Sequence, residues 1–275
     1  MSYLQEYGSM EITTVIGCPI DCDFCPQTSL LESYLKRSNE SYMLFSTFQA
    51  CLDKLPQDVR IDFSGMSEPF INKDCVRMMQ YCYSRFKYMA LYTTFVGLGI
   101  EQLHSVYSMR DKIDPIVIHV ADKDGRSKIN VDEKYLDVIR LAIEMFDTSY
   151  VCSHGIPNPN ILVPNDRLRI IDSVYSSPWP LISRAGNLRS VGATSKNGAI
   201  QCRTSLNKFN RNVLLPNGDV LLCCMDYSNE FVLGNLCCES YEQIQESSVK
   251  KHLMQMLFDG SDCICRKCEC SFEKA

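Results

Sequence analysis

The sequence predicts an α/β fold on a parallel sheet, followed by a smaller cysteine-rich unit. Three observations carry this. Strand-like and helix-like patterns alternate over about the first 150 residues, as parallel strands joined by crossovers require. The alternation stops beyond Ser153, where Pro157, Pro159, Pro164, Pro178 and Pro180 mark a long irregular connection. A hairpin signal and a dense cysteine tail then close the chain. A length of 275 residues fits one large domain or one domain with an appendage.

Taken in order, residues 10–16 (MEITTVI) are rich in β-branched side chains and read as a strand that runs directly into Gly17-Cys18. A polar helix-like stretch follows Pro26. Ser46-Thr47-Phe48-Gln49 has the pattern of a capping box and opens a helix that Pro56 closes. Residues 59–63 form the second strand. Between 72 and 86, Cys75, Met78, Met79, Cys82 and Phe86 recur at helical spacing and read as core. Residues 88–93 make a third strand, a helix is expected around 101–109, and 115–120 make a fourth strand. An amphipathic helix over 132–146 leads to a fifth strand at 149–152. Near the end, 212–215 and 220–224 flank Pro216-Asn217-Gly218-Asp219, a hairpin whose turn carries the glycine such turns need. One closing helix is expected over 240–258.

The formal charge is −5, from 28 basic and 33 acidic residues, and no basic run exceeds Lys250-Lys251. Such a chain has no footprint for tracking a phosphate backbone, which excludes nucleic acid as the expected partner. No uncharged stretch is both long and apolar enough to span a bilayer, so no membrane partner is expected. The opening MSYLQEYGSMEI lacks the basic and apolar regions of an export signal, so a cytoplasmic location is expected.

Cysteine is the anomaly, at 16 of 275 residues. In a large cytoplasmic chain so many thiols point to metal or redox chemistry rather than to disulfide staples. Cys18, Cys22 and Cys25 form one group, Cys51, Cys75, Cys82 and Cys152 stand singly, and the rest fall between Cys202 and Cys270. Two separate sites are implied.

The spacing C-x3-C-x2-C on a loop can set three thiolates around one centre, and a closed structural site would take four. A zinc knuckle or a chance grouping of buried thiols competes. A strand running into Cys18, with Phe24 before the last cysteine, resembles the radical S-adenosylmethionine (SAM) family. Ser64-Gly65-Met66-Ser67-Glu68-Pro69 looks like that family's G-E-P motif, with Ser67 replacing a glycine. Tyr92-Thr93-Thr94 is similar to its Y-T-N, without the asparagine. The resemblance implies a partial (β/α)6-type TIM barrel. It also implies a [4Fe-4S] cluster on Cys18, Cys22 and Cys25 whose open iron SAM chelates. Phe24 would then lie by the adenine, Gly65, Ser67 and Glu68 would bind SAM, with Glu68 on the methionine ammonium, and Thr93 and Thr94 would touch the cofactor. An external flavodoxin or ferredoxin-type donor would reduce the cluster, and the resulting 5′-deoxyadenosyl radical would abstract a hydrogen atom from an unactivated C–H. Read from the residues alone, the competing readings are a salt-bridge acid for Glu68, ordinary strand residues for Thr93 and Thr94, and a place in the core rather than the lumen for His119.

Cys202, Gly218-x4-Cys223, Gly234-Asn235-Leu236, a helix opening at Ser240 and Cys265-x2-Cys268 resemble the SPASM auxiliary-cluster domain or its shortened twitch form. That resemblance implies a hairpin and helix holding one further [4Fe-4S] cluster on Cys202, Cys223, Cys265 and Cys268. Cys224 competes with Cys223, Cys263 and Cys270 allow another register, and zinc on four cysteines is the competing chemistry. Cys237 and Cys238 read as structural thiols. The expected division is a barrel core over 1–155, an irregular and substrate-facing connection over 156–200, and the auxiliary domain over 201–275.

Ser183-Arg184-Ala185-Gly186-Asn187 resembles an R-G-G segment in members of the 2-deoxy-scyllo-inosamine dehydrogenase type, which implies that Arg184 faces the substrate; otherwise it anchors the linker. Only 17 residues precede Cys18, favouring a small free substrate over a leader-bearing peptide. The expected reaction is oxidation at a carbinol carbon of a sugar- or aminocyclitol-like molecule, with the auxiliary cluster as electron acceptor. Alternatives are an epimerase with a cysteine hydrogen donor, a peptide-modifying maturase, and a non-catalytic iron-sulfur or zinc protein. A pure electron carrier would need four protein ligands on each cluster.

Overall fold

The computed structural model describes residues 3–171, 178 and 180–274. Part of the proline-rich connection, 172–177 and 179, lies outside the described residues. Six strands, β1 (Ser9–Ile12), β2 (Arg60–Phe63), β3 (Met89–Thr93), β4 (Ile113–Val120), β5 (Tyr150–Ser153) and β6 (Leu168–Ile170), pair in parallel in that order. A short α1 (Tyr3–Tyr7) precedes β1, and α2 (Gln27–Tyr34) and α3 (Phe45–Leu52) lead to β2. Single helices α4 (Cys75–Arg85), α5 (Ile100–Tyr107) and α6 (Glu133–Met145) make the next three crossovers. This is the expected partial barrel.

The helices form where one apolar face can be buried. In α6 the buried side chains Tyr135, Leu136, Val138, Ile139, Ala142 and Ile143 follow helical spacing, and the Asp132 carboxylate caps the first turn by accepting from the Tyr135 amide at 2.8 Å. In α4 the buried face is Cys75, Met78, Met79 and Cys82, as the spacing predicts. The expected capping box at Ser46 is absent. α3 begins at Phe45, two residues ahead of the start that a Ser46 cap would give, after Leu44 in extended conformation and with no side-chain cap. Phe45 fixes that start, its ring lying under the Arg77 guanidinium at 3.8 Å and edge-on to Tyr81.

Beyond the connection come β7 (Ile200–Cys202), β8 (Arg211–Leu214), β9 (Asp219–Leu221) and β10 (Val232–Asn235), then α7 (Tyr241–Gln245), α8 (Ser248–Asp259), α9 (Ile264–Lys267) and β11 (Ser271–Glu273). The hairpin forms as expected, β8 and β9 pairing antiparallel. β8 also pairs in parallel with β1, so the main sheet has nine strands among the described residues, in the order β10-β9-β8-β1-β2-β3-β4-β5-β6. β7 and β11 form a separate antiparallel pair. The single closing helix expected over 240–258 is two helices, because Ser247 stops α7 and caps α8 by accepting from the Lys250 amide. No helix among the described residues is long and apolar enough to cross a membrane.

Asn212 ties this second unit together from inside. Its side chain is fully buried, donates to the Phe209, Leu221 and Leu222 carbonyls, and accepts from Gln245. Replacing Asn212 by alanine strands several buried polar groups at once and is expected to cost about 2–4 kcal/mol. A urea midpoint lowered at unchanged slope would show it; an unchanged midpoint would remove Asn212 from this role.

Candidate active site

The three N-terminal thiols come together in the loop after β1. This loop is anchored at its start by Thr14, whose hydroxyl donates to the Pro69 carbonyl at 2.9 Å, and turns through left-handed Gly17 and Asp21. Burial pushes the Cys18 and Cys22 thiols up, Cys22 further by the proximity of Cys25 and Cys18, so the three share one electrostatic neighbourhood. Gln27, buried at the start of α2, fixes the loop. Its amide donates to the Met66 carbonyl at 2.7 Å and to Cys25 Sγ at 3.2 Å, while its oxygen accepts from the Cys18 amide. Sequence reasoning missed Gln27, although a polar residue two positions past a cysteine motif was a readable signal. On the other side, Cys22 Sγ lies 3.1 Å from the Ser127 carbonyl in a loop that the Asp122 carboxylate organises through the Asp124, Arg126 and Ser127 amides.

The G-S-E-P segment packs directly against this loop. Gly65 has φ +61, and a Cβ there would lie 2.4 Å from Thr13 Oγ1, so only glycine lets β2 turn this close to β1. Glu68 is buried, and its two oxygens accept from the Phe70 amide (3.2 Å), the Thr93 hydroxyl (2.6 Å), the Thr94 amide (2.6 Å) and the Thr94 hydroxyl (2.7 Å). Burial raises its pKa and these donors oppose the rise. Glu68, Thr93 and Thr94 therefore come together as a buried link between β2 and β3 that uses all four acceptor positions of the carboxylate. A ligand ammonium reaching Glu68 has to displace a threonine hydroxyl. Phe24 stacks on His154, ring centroids 3.4 Å apart. Three buried polar atoms around this carboxyl edge, Ser67 Oγ, Ser153 Oγ and His154 Nδ1, have no hydrogen-bond partner among the described residues.

Inside the barrel, beneath this edge, lies a second set of polar groups. Glu11 on β1 accepts from the Ser64 hydroxyl at 3.0 Å and is hydrogen-bonded to the Cys224 thiol; burial, then the charge of Asp62, raises its carboxyl pKa. Arg184 sits in the same field, close to Tyr227, Cys224, Cys25 and Glu11. Its backbone is left-handed, as are Ala185 and Gly186 (φ +54, +56 and +84), and Glu269 holds this strained turn by accepting from the Ser183 and Ala185 amides. His119 and His154 stay neutral. Burial, then Arg184, lowers His119 to about 4; burial, then His119 and Arg184, lowers His154 to about 3. Sequence reasoning missed Glu11, the one charged residue of the 10–16 strand pattern.

The C-terminal thiols form the other group. Cys223 is pushed far up by burial, with Asp226 and then Cys202 adding to the rise. Cys265 and Cys268 also lie within the field of Cys223, each hydrogen-bonded to an outer neighbour, Cys263 and Cys270 respectively. Cys223 and Cys224, alternative readings in the sequence, differ in their surroundings: both lie in the field of Glu11, but Cys223 also lies in that of Asp226 and Cys202, whereas Cys224 lies in that of Arg184 and is hydrogen-bonded to Glu11. Arg266 is buried and donates to the Ser261, Lys196, Gly198 and Met256 carbonyls, fixing the tail that carries these cysteines.

These residues fit the groups expected of them. The soft donor set is cysteine sulfur throughout, and no group of three His, Cys, Asp or Glu side chains among the described residues is placed to hold a single metal ion. A four-iron cube spreads its ligands more widely. The unpartnered atoms of Ser67, Ser153 and His154 provide polar contacts at the edge where parallel α/β folds bind ligands.

Residues 202–269 match the family model of SPASM, an iron-sulfur cluster-binding domain. The C-terminal unit is a SPASM domain. The whole chain has the fold of radical SAM enzymes that carry this domain. BtrN, solved in complex with AdoMet and 2-DOIA, is 18% identical, with 92% of this chain and 88% of BtrN covered at a TM-score of 0.61. Native anSMEcpe with bound AdoMet is 13% identical over 95% of this chain and 86% of that one, TM-score 0.53. Streptococcus suis SuiB bound to precursor peptide SuiA is 11% identical over 94% and 69%, TM-score 0.56. No curated protein matches the chain by sequence.

The Glu68 geometry makes a specific prediction. In Glu68→Gln the amide nitrogen faces either the Phe70 or the Thr94 backbone N–H and can accept from neither, so unfolding free energy is expected to fall by about 1–3 kcal/mol. Chemical denaturation measures it, and a variant as stable as the parent would show that the link between β2 and β3 carries no weight.

Proposed function

We propose that this protein is a radical SAM oxidoreductase that abstracts a hydrogen atom from a carbinol carbon of a small polar, sugar- or aminocyclitol-like substrate and leaves a carbonyl. The observation that carries the reading is the polar lumen of Glu11, Arg184 and Cys224 between the two cysteine groups. In this reading residues 1–155 are the SAM-binding core, 156–200 the substrate-facing connection and 201–275 the auxiliary domain. Cys18, Cys22 and Cys25 would hold one [4Fe-4S] cluster, and Cys202, Cys223, Cys265 and Cys268 the auxiliary one. SAM would lie against Phe24, Gly65, Ser67, Glu68, Thr93 and Thr94. When bound, and reduced by a flavodoxin or ferredoxin-type donor, these groups supply a 5′-deoxyadenosyl radical for hydrogen abstraction and an electron acceptor for the second oxidation step.

The chain's own residues do the rest. Arg184 orients the substrate hydroxyls through its fork of donors. Glu11, whose raised pKa makes it a stronger base than an exposed glutamate, accepts the hydroxyl proton released as the carbonyl forms. Cys224 hydrogen-bonds Glu11 and is next in the chain to Cys223. The likeness to BtrN, whose structure contains AdoMet and 2-DOIA, supports a small polar substrate. The likenesses to anSMEcpe with Cp18Cys peptide and to SuiB with SuiA support the alternative, peptide modification.

One further reading rests on a specific observation. Cys224 is a lumen thiol, and a thiol there can return a hydrogen atom to a substrate radical, which makes an epimerase. The reactions separate in deuterium oxide. With reduced protein, SAM and a panel of aminocyclitols and sugars, oxidation yields a carbonyl product and 5′-deoxyadenosine in equal amounts, and Cys224→Ala retains turnover. An epimerised product carrying one solvent deuterium, lost in Cys224→Ala, would overturn the oxidative assignment. A modified peptide without turnover of any polyol would overturn the substrate class.

A further inference from the structure

Cys51 and Cys237 belong to neither cysteine group, yet their sulfurs lie 3.9 Å apart across 186 residues of sequence. Cys51 is fully buried on α3, against the barrel; Cys237 is exposed in the turn between β10 and α7 of the SPASM domain. Three features hold this approach. The Lys54 ammonium, one turn further along the chain from Cys51, donates to the Leu236 carbonyl and to the Glu239 carbonyl at 3.1 Å, clamping the turn onto α3 from both sides of Cys237. The Cys237 amide donates to Asn235 Oδ1 at 2.8 Å. Gly218 leaves the room: a Cβ there would come within 2.4 Å of Cys237 Sγ, so the hairpin turn carries no side chain where the sulfur sits.

We propose that Cys51 and Cys237 form a redox-responsive pair that closes into a disulfide and fastens the SPASM domain to the barrel. The co-reactant is a small disulfide of the glutathione class. The exposed Cys237 thiolate attacks it, forming a mixed disulfide and releasing one thiolate. Cys51, losing its proton, then attacks the Cys237 sulfur and expels the second glutathione thiolate. Two protein thiols are oxidised and one small disulfide is reduced to two thiols. Burial and the neighbouring Cys237 raise the Cys51 pKa to about 12, so Cys51 stays protonated until its partner is activated, and the order of attack follows from exposure. Closure needs the sulfurs to approach by about 2 Å, within reach of side-chain rotation alone. The bond would close a loop of nearly the whole sheet, which favours the folded state by restricting the unfolded chain.

The test is independent of the catalytic reading. Holoprotein is incubated anaerobically with excess glutathione disulfide, alkylated, digested and mapped by mass spectrometry. The expected result is a linked pair of peptides containing Cys51 and Cys237, removed by dithiothreitol, with a melting temperature several degrees above that of the reduced protein. Cys51→Ser should give a lasting glutathione adduct on Cys237 instead of the link, and Cys237→Ser should leave Cys51 unmodified. A lasting adduct on Cys237 in the native sequence, a link between Cys237 and Cys238, or both thiols recovered fully alkylated would overturn the proposal.

Discussion

The parallel pairing of β1 with β2 on one side and with β8 on the other sets the relation between everything else in this protein. Cys18 follows the carboxyl end of β1. On the other side, Glu11 is level with Val213 and Val213 with Leu221, and the antiparallel run of β9 then carries Cys223 back toward the amino end of β1. The two cysteine groups are thereby held toward opposite ends of one strand, with Glu11 on that strand between them. A register shift of one residue would turn Glu11 out of the lumen and Met10 into it, abolishing both the core and the polar site.

Between the groups, burial decides which side chains carry charge. The two histidines are kept neutral and offer hydrogen bonds rather than charge, while Arg184 brings a cation into the field of Glu11. The strained turn that presents Arg184 is held by Glu269, which sits beside Cys268. The turn that carries Arg184 is therefore tied to the cysteine-rich tail. A disturbance of the tail reaches the lumen through two backbone amides.

Much of this was legible in the sequence because burial writes a period. The buried faces of α4 and α6, the strands β1 to β5 and the hairpin all announce themselves through apolar spacing or turn chemistry. What escaped did so for local reasons. β6 is three half-buried residues whose place depends on Arg167, a residue that donates to the Ile143, Phe146 and Ser149 carbonyls from outside the strand. The Ser46 pattern misled because packing of Phe45 starts the helix ahead of it. Cys223 and Cys224 could not be told apart along the chain, since only the surroundings of each side chain distinguish them. Glu11 stood with no motif around it, and its partners Ser64 and Cys224 are far along the chain; Gln27 stands beside the cysteine motif, but its tie to the Met66 carbonyl appears only in the fold.

The proposed reading places one [4Fe-4S] cluster on each of the two cysteine groups. Its most direct test is iron and acid-labile sulfide in the anaerobically reconstituted protein, native and with Cys18, Cys22 and Cys25 all replaced by alanine. Two cubes require about eight iron and eight sulfide in the native protein and about four of each in the triple variant. Full iron retained by the variant, or zinc as the main metal of the native protein, would contradict the account.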